Sequence, residues 1–480
     1  MRSVELRIPC IAVNEDDMKK FFGKYIGDKA FYVMVLGVVL PIIVQNGITN
    51  FVSLLDNIMV GRVGTEQMSG VAIVNQLMFV FNISIFGAIS GAGIFGAQFF
   101  GCGKTEGVRH TFRFKLIVCA VITVLACVLF LFGGEFLISL YLNGEENGAQ
   151  LEATLGYGKQ YLLVMLIGLP PFALAQAYTS TLRECGETVV PMKAGIVAVL
   201  VNCSLNALLI FGLLGFPRLG VVGAAIATVI SRYAEMVIVV LWTHKHAEKY
   251  AFIEGAYKSL YIPGNLVSKI LIKGSPLMLN EILWAAGMAT LSQCYSMRGL
   301  DAVAAMNITT TISNLFNVVY ISLGSAVSII IGQLLGAGKM EEAKDKDTKL
   351  IAFAVGSCMV IGGILALCAP LFPMVYNTTD IVKNLATQLI RVVALFIPMC
   401  AFLNTCYFTL RAGGKTIITF FFDSVFMWCV SIPLAFVLSR FTGLPIVPLY
   451  FYCQLIELIK CVIGYILVKK GVWLSNIVVE

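Results

Sequence analysis

The stretch "QFFGCGKTE" (residues 98–106) returns later in the chain as "QLLGAGKME" (333–341). Each copy ends a long apolar run and opens a basic turn. At the same constant offset, Pro41 meets Pro276, Gly64 meets Gly299, and Phe81–Asn82 meets Phe316–Asn317. After one short gap, a second register aligns "LRECGET" (182–188) with "LRAGGKT" (410–416) and Pro170 with Pro398. Apolar segments resemble one another by composition alone, but chance rarely reproduces the polar turn residues between them. The chain is therefore read as an internal duplication.

Composition says what is duplicated. The 480 residues are 59% hydrophobic and only 13% charged, too little polar surface to cover a soluble core of this size. Apolar runs of about 18 or more residues read as membrane-spanning helices. About twelve such runs lie near 31–60, 70–98, 114–133, 159–182, 194–214, 219–242, 274–298, 303–330, 350–372, 388–410, 417–438 and 445–468. They are too long, and too free of strict alternation, to be barrel strands. Six fall in each copy. An even number returns the chain to its starting side, so the copies run parallel, related by an axis along the membrane normal. The expected fold is an all-α integral membrane protein of two six-helix bundles, 31–242 and 274–468. A cytoplasmic arm (1–30), linker (243–273) and tail (469–480) complete it.

The charges orient these helices. Most of the 34 Lys and Arg fall in the arm, the tail and the loops near 99–115, 183–193, 243–273, 339–349 and 411–415. The connection "NGEENGAQLEA" (143–153) has no basic residue. The positive-inside rule then places both termini in the cytoplasm of a multi-pass plasma (inner) membrane protein. The net charge of +7 follows from that placement, and nothing suggests nucleic acid. The first thirty residues lack the pattern of a cleaved signal peptide, so the first apolar run is expected to stay as a helix. The 14 cysteines make no C-x-x-C pair and read as small helix-packing residues.

Two motifs point away from enzymes. "GCGKT" (101–105) looks like the end of a P-loop, but that motif needs a Gly where Gln98 stands, and a strand before it. His110, His244 and His246 are assigned to cytoplasmic loops and are too few to hold a metal. No catalytic group and no cofactor is expected.

What remains is a set of charges inside the apolar runs. An Asp in mid-membrane costs roughly 2.5–3.5 kcal/mol, so such residues face protein or water, and function is the default reading. Arg232 with Glu235, and Glu457 with Lys460, are three apart and can neutralise each other on one helix face. Each pair can be structural or can couple ions. Asp56, Glu281 and Asp423 have no basic residue at helical spacing. They can exchange a proton or Na⁺, or simply accept hydrogen bonds from a facing helix; Asn202 and Asn206, one turn apart, are candidate donors. Two matched bundles imply a seam, where secondary transporters bind cargo. Met78, Phe79 and Tyr320 near that seam could hold flat cations or simply pack.

Taken together, "DNIMVGRVG" ending the first run, "QFFGCGK" after the second and "LNALLIFGLLGFPRLGVVGAAIATVISR" (205–232) resemble the multidrug and toxic compound extrusion (MATE) transporters. The resemblance spans nearly the whole chain. It implies a V-shaped pair of bundles and export of organic, often cationic and aromatic compounds in exchange for H⁺ or Na⁺. It puts Asp56 on the family's first-helix protonation or cation site, Asn202 and Thr228 in the same polar cluster, and Pro41 where the first helix can bend. There are departures. Asn206 stands where archaeal members have a second Asp. Glu281 lies about one turn before the helix-seven Glu of the NorM branch. Asp423 lies in helix eleven, whereas that branch has its acid in helix ten. Partners implied are the lipid bilayer and small organic substrates, with the chain a monomer. Alternatives are a flippase for lipid-linked precursors, which would want a wide basic cavity, and a non-transporting receptor or scaffold.

Overall fold

The computed structural model describes residues 23–142 and 148–479, without the side chains at 52–55, 57, 58, 148 and 149. Most of the arm at 1–30 and the first part of the connection at 143–153 lie outside the described residues. Among the described residues there is no strand. The long helices of the first half are α1 (Lys29–Gly61), α2 (Thr65–Gly101), α3 (Thr105–Ser139), α4 (Gly148–Glu184), α5 (Val189–Phe211) and α6 (Gly220–Lys245). Those of the second are α7 (Gly264–Ser296), α8 (Leu300–Gly336), α9 (Met340–Cys368), α10 (Asp380–Ala412), α11 (Thr416–Phe441) and α12 (Ile446–Lys469). Eleven of these are long and apolar enough to cross a membrane. The exception is α7, whose apolar run is diluted by Ser275, Pro276, Asn280 and Glu281. It holds in the second half the place α1 holds in the first, so among the described residues the long helices number twelve, as the duplication predicts.

The turns repeat as the sequence does. Gly103 after α2 and Gly338 after α8 have φ of 72° and 73°, and Gly186 and Gly414 have 81° and 71°. These left-handed positions stop each helix without a Cβ clash. "GCGKT" is thus a helix-ending turn. Two of the histidines are not in loops: His110 lies on α3, and His244 lies in the last turn of α6, where its ring meets the Tyr178 hydroxyl at 3.1 Å. Their basic neighbourhoods are helix ends that extend beyond the apolar runs.

Let the end where α1 begins be basal and the other apical. The first bundle is filled by Phe81, Phe130, Leu169, Ile210 and Val221. Leu389, Leu449 and Ala305 do the same in the second. Inside a bilayer such contacts gain from close packing, because lipid tails are as apolar as the side chains. The halves also exchange helix ends. The basal part of α1 (Phe31, Val35, Val39) packs among Leu323, Val327 and Ile331 of the second half, while Val60 near its apical end joins the first bundle. The basal part of α7 (Ile270, Leu277) packs on Phe95 of α2, while Cys294 and Tyr295 join the second bundle. Pro41 and Pro276 lie in these crossing helices. A Cβ placed on Gly91 of α2 would stand 2.5 Å from the Cα of Gly274, so α2 and α7 touch backbone to backbone.

The basal seam is sealed twice by the same device. A Cβ on Gly101 would overlap the carbonyl of Gln333, and one on Gly336 would overlap that of Gln98. Gln98 donates to the Ala412 carbonyl at 2.9 Å and accepts from the Ile477 amide at 2.9 Å; Gln333 donates to the Glu184 carbonyl at 2.8 Å. In the middle, Asn46 donates to Ser322 at 3.2 Å. The linker and tail are docked on the helices. Arg113 grips the carbonyls of Ala256 and Gly255 at 2.9 Å each, and Trp473 is fully buried.

Candidate functional site

Asp56 sits within the last two turns of α1, nearer the apical end than the middle of the helix. It opens on a cavity of about 470 Å³ in the first bundle. Three helices bring its neighbours. Asn202 and Asn206 lie one turn apart on α5, and Thr228 comes from α6. Asn206 Nδ2 donates to Asp56 Oδ1 at 2.6 Å and to Asn202 Oδ1 at 3.0 Å. Asn202 Nδ2 donates to Thr228 Oγ1 at 3.2 Å, and that hydroxyl donates to the Ala224 carbonyl at 3.0 Å. The structure thus places together the four residues that the sequence reading grouped, of which Thr228 came only from the resemblance.

The same heavy atoms admit a second hydrogen pattern, because a side-chain amide can turn over in place. With Asn202 reversed, its nitrogen donates to Asp56 Oδ1 at 2.9 Å and Oδ2 at 3.1 Å, and its oxygen accepts from Thr228. That pattern suits an ionised carboxylate, which only accepts. It also sets the nitrogens of Asn202 and Asn206 3.0 Å apart. The first pattern leaves Asn202 Oδ1 facing Asp56 and suits a protonated acid, which can donate to it. One orientation fits each protonation state.

Arg232 and Glu235 share this cavity, 3.7 Å apart as their spacing predicts. The Arg232 guanidinium also stacks over Phe172 at 4.6 Å. Sequence reasoning missed Tyr161 of α4, whose hydroxyl lies beside Thr228 and donates to Asn75 at 3.4 Å. It carries no signal by itself, being one of 17 tyrosines. Pro41 lacks the N–H that would bond the Gly37 carbonyl, and Thr188 Oγ1 of the loop before α5 donates to that carbonyl at 3.3 Å. Helix α1 runs unbroken through Pro41.

A second cavity of about 390 Å³ lies in the other bundle and holds Glu281, Asp423 and Glu457. Here one expectation changes. Asp423 has no base at helical spacing on α11, yet Lys460 of α12 reaches it at 3.1 Å while also bonding Glu457 at 3.1 Å. Asn280 donates to the other Asp423 oxygen at 3.2 Å, and Ser431 donates to Glu457 at 2.7 Å. The pairing depends on wide local turns. Residues Phe421–Val425 and Met427–Ser431 are π-helical just before Pro433, and α12 is interrupted by a turn at Glu457. Glu281 faces the same cavity and makes no hydrogen bond or ion pair among the described residues. Tyr320 lines this cavity too, whereas Met78 is core and Phe79 is exposed. No group of three His, Cys, Asp or Glu side chains placed to hold a metal occurs among the described residues.

Comparison with known proteins matches the same duplication. The family model MatE fits twice, over 41–208 and 276–437, the second copy beginning at the proline that pairs with Pro41. A probable multidrug resistance protein of Bacillus subtilis, YoeA, is 26% identical over 416 residues, covering 85% of this chain and 86% of its own. A probable multidrug resistance protein of Thermotoga maritima, NorM, is 23% identical over 402 residues, covering 84% of each. The solved structure of an outward-facing multidrug resistance MATE family transporter of the MOP superfamily superposes with a TM-score of 0.81 at 18% identity, covering 92% of this chain and 96% of that one. With a matching family model over both halves and the fold to go with it, this multi-pass membrane protein belongs to the MATE family.

Proposed function

We propose that this protein exports organic compounds across the plasma membrane in exchange for H⁺, with Asp56 as the coupling group, its basal end in the cytoplasm and cations with aromatic rings among its cargo. The observation that carries the reading is the setting of Asp56: its carboxylate opens on the first-bundle cavity, accepts from Asn206 at 2.6 Å, lies against Asn202, and forms no ion pair among the described residues. Ionised, the carboxylate accepts from two amide nitrogens; protonated, its O–H donates a hydrogen bond to Asn202 Oδ1 while Asn202 turns its nitrogen to Thr228. Hydrogen bonds to a charged group are worth about 1.5–3 kcal/mol each, so the amide orientation follows the proton. Helix α1 carries the change between bundles, since its apical end is tied to the first and its basal part packs on the second.

The cycle then has a stated order. With the basal end open and Asp56 ionised, cargo enters the seam from the cytoplasm or inner leaflet. The Gln98 and Gln333 contacts close behind it. A proton arriving from the apical side neutralises Asp56, turns Asn202 and releases the hold on cargo. One proton against a monovalent cation moves no net charge, so the pH gradient drives that exchange; for neutral cargo the membrane potential adds about 2.3 kcal/mol per charge per 100 mV, and nucleotide hydrolysis is not needed.

The test is efflux of a cationic dye from proteoliposomes under an imposed pH gradient, and separately under an imposed Na⁺ gradient. The proton gradient should drive efflux in the parent, and D56N should abolish it. Efflux driven only by Na⁺ would replace the proton by that ion. Undiminished pumping by D56N would end the proposal.

A further inference from the structure

The repeated motif "LRECGET" and "LRAGGKT" places Arg183 on Arg411 in the two halves, and the fold brings both side chains to one chamber of about 120 Å³ at the basal floor of the seam. Arg411 is 7% exposed, and its Nε and one Nη are buried with no acceptor. Nε of Arg183 is likewise buried without an acceptor, while one of its Nη groups donates to Gln45 at 2.5 Å. The Arg411 guanidinium lies 5.2 Å from the Phe408 ring and 5.8 Å from that of Phe86. Stacking on ring faces holds a guanidinium in place and leaves its forked N–H edge free.

Of the carboxylates nearby, two are already committed, while Glu281 lines the neighbouring cavity of the second bundle and forms no ion pair with Arg411. Glu184 lines the same chamber, but Lys115 Nζ lies 2.6 Å from both of its oxygens, and Ser180 donates to it at 2.7 Å. Glu235 is held by Arg232. Among the described residues neither Arg183 nor Arg411 forms an ion pair. Arginine in the last turn of a helix eases the helix dipole, which accounts for the position on α4 and α10. It does not account for N–H donors buried without a partner, which fold stability disfavours. Two forked donors converging on a small chamber, backed by aromatic faces and lined by Ser325, match a planar or tetrahedral oxyanion.

We infer that Arg183 and Arg411 form a binding site for an acidic group, a carboxylate, sulfonate or phosphate, on an organic substrate held in the seam. The inference rests on the transport reading only in calling the occupant cargo. Such a site widens the cargo from cations to acids and zwitterions whose ring lies against Phe86 and Phe408.

The experiment is equilibrium titration of the purified full-length protein in a neutral maltoside detergent with naphthalene-2-sulfonate, and with 2-naphthol as the uncharged ring. The parent should bind the sulfonate about tenfold or more tightly than the naphthol. R183Q and R411Q should each lose that margin while binding naphthol as before, which also reports that they are folded. Should R411Q fail to fold, Arg411→Lys, which keeps the charge but not the fork, reads the same loss. No margin in the parent, or a margin untouched by both substitutions, overturns the site. Adding phosphatidylglycerol to the micelles separates two sources. Competition assigns the site to a lipid phosphate, and its absence assigns it to a soluble acid; both retain the site. Because no gradient is applied, a negative result here leaves the antiport reading standing, and a pumping D56N leaves this site standing.

Discussion

Lys460 stands between two carboxylates from different helices, and that position gives it a structural role. Removing it leaves Asp423 and Glu457 facing each other without a cation. For a fully buried pair the cost is ~3–5 kcal/mol; Asp423 keeps some access to water, so we expect on the order of 2–3 kcal/mol for Lys460→Met. The measurement is thermal unfolding in detergent. Adding Asp423→Asn and Glu457→Gln should restore most of the loss, and no restoration would show that Lys460 acts through packing on Phe422 and Phe426 instead. At the first site the expectation is different. Asn206→Leu should leave the fold intact but weaken coupling, because it removes the 2.6 Å donor to Asp56 and no paired charge. A proton-to-dye ratio measured in proteoliposomes that stays at the parental value would argue that Asn202 alone suffices.

At the scale of the element, α1 and α11 are each shaped by a missing N–H. Pro41 frees the Gly37 carbonyl of α1, and Thr188 takes it up from the segment leading into α5. The helix is thereby tethered next to its weakest point. Thr188→Val should cost no more than ~1 kcal/mol of stability, yet alter turnover, because the freed carbonyl no longer ties α1 to α5. Dye efflux per protein should change by more than the unfolding midpoint would suggest; equal efflux in parent and variant would mean α1 does not move there. In α11 the missing N–H of Pro433 follows a run of π-helical turns that carry Asp423 toward Lys460. The apolar run 417–438 announces this helix, but a widened turn has no compositional mark, so the pairing was not legible from spacing.

For the molecule as a whole, the duplicated Gln-x-x-Gly segments decide how the seam closes. Gly101 and Gly336 let α2 and α8 meet backbone to backbone at the basal end. Gly336→Leu would place a side chain against the Gln98 carbonyl and should hold the basal end open. Nitroxide labels at Lys104→Cys and Lys339→Cys, both exposed positions on the basal turns, in a cysteine-depleted background, should report a longer distance in that variant than in the parent. Transport should fall with no loss of folded protein. An unchanged distance would mean that the seam closes elsewhere. The same exchange of helix ends explains why the boundaries drawn at 31–242 and 274–468 describe the chain but not the packing: the basal parts of α1 and α7 each lie against the opposite bundle.

The sequence by itself determined the helices, their number, the duplication and the lone acid in the first of them. These rest on local facts: length of apolar runs, polar turns that repeat, and the cost of charge in lipid. It also offered Asn202 and Asn206 as donors, since residues four apart share a helix face. Only the tertiary structure decided which helix meets which. It gave Asp423 its base from α12, took Tyr161 to the first site, and set Arg183 and Arg411 on one chamber from positions that read as loop charges. Partners on different helices are separated by long stretches of chain, and no periodicity along one helix encodes the face that another will present.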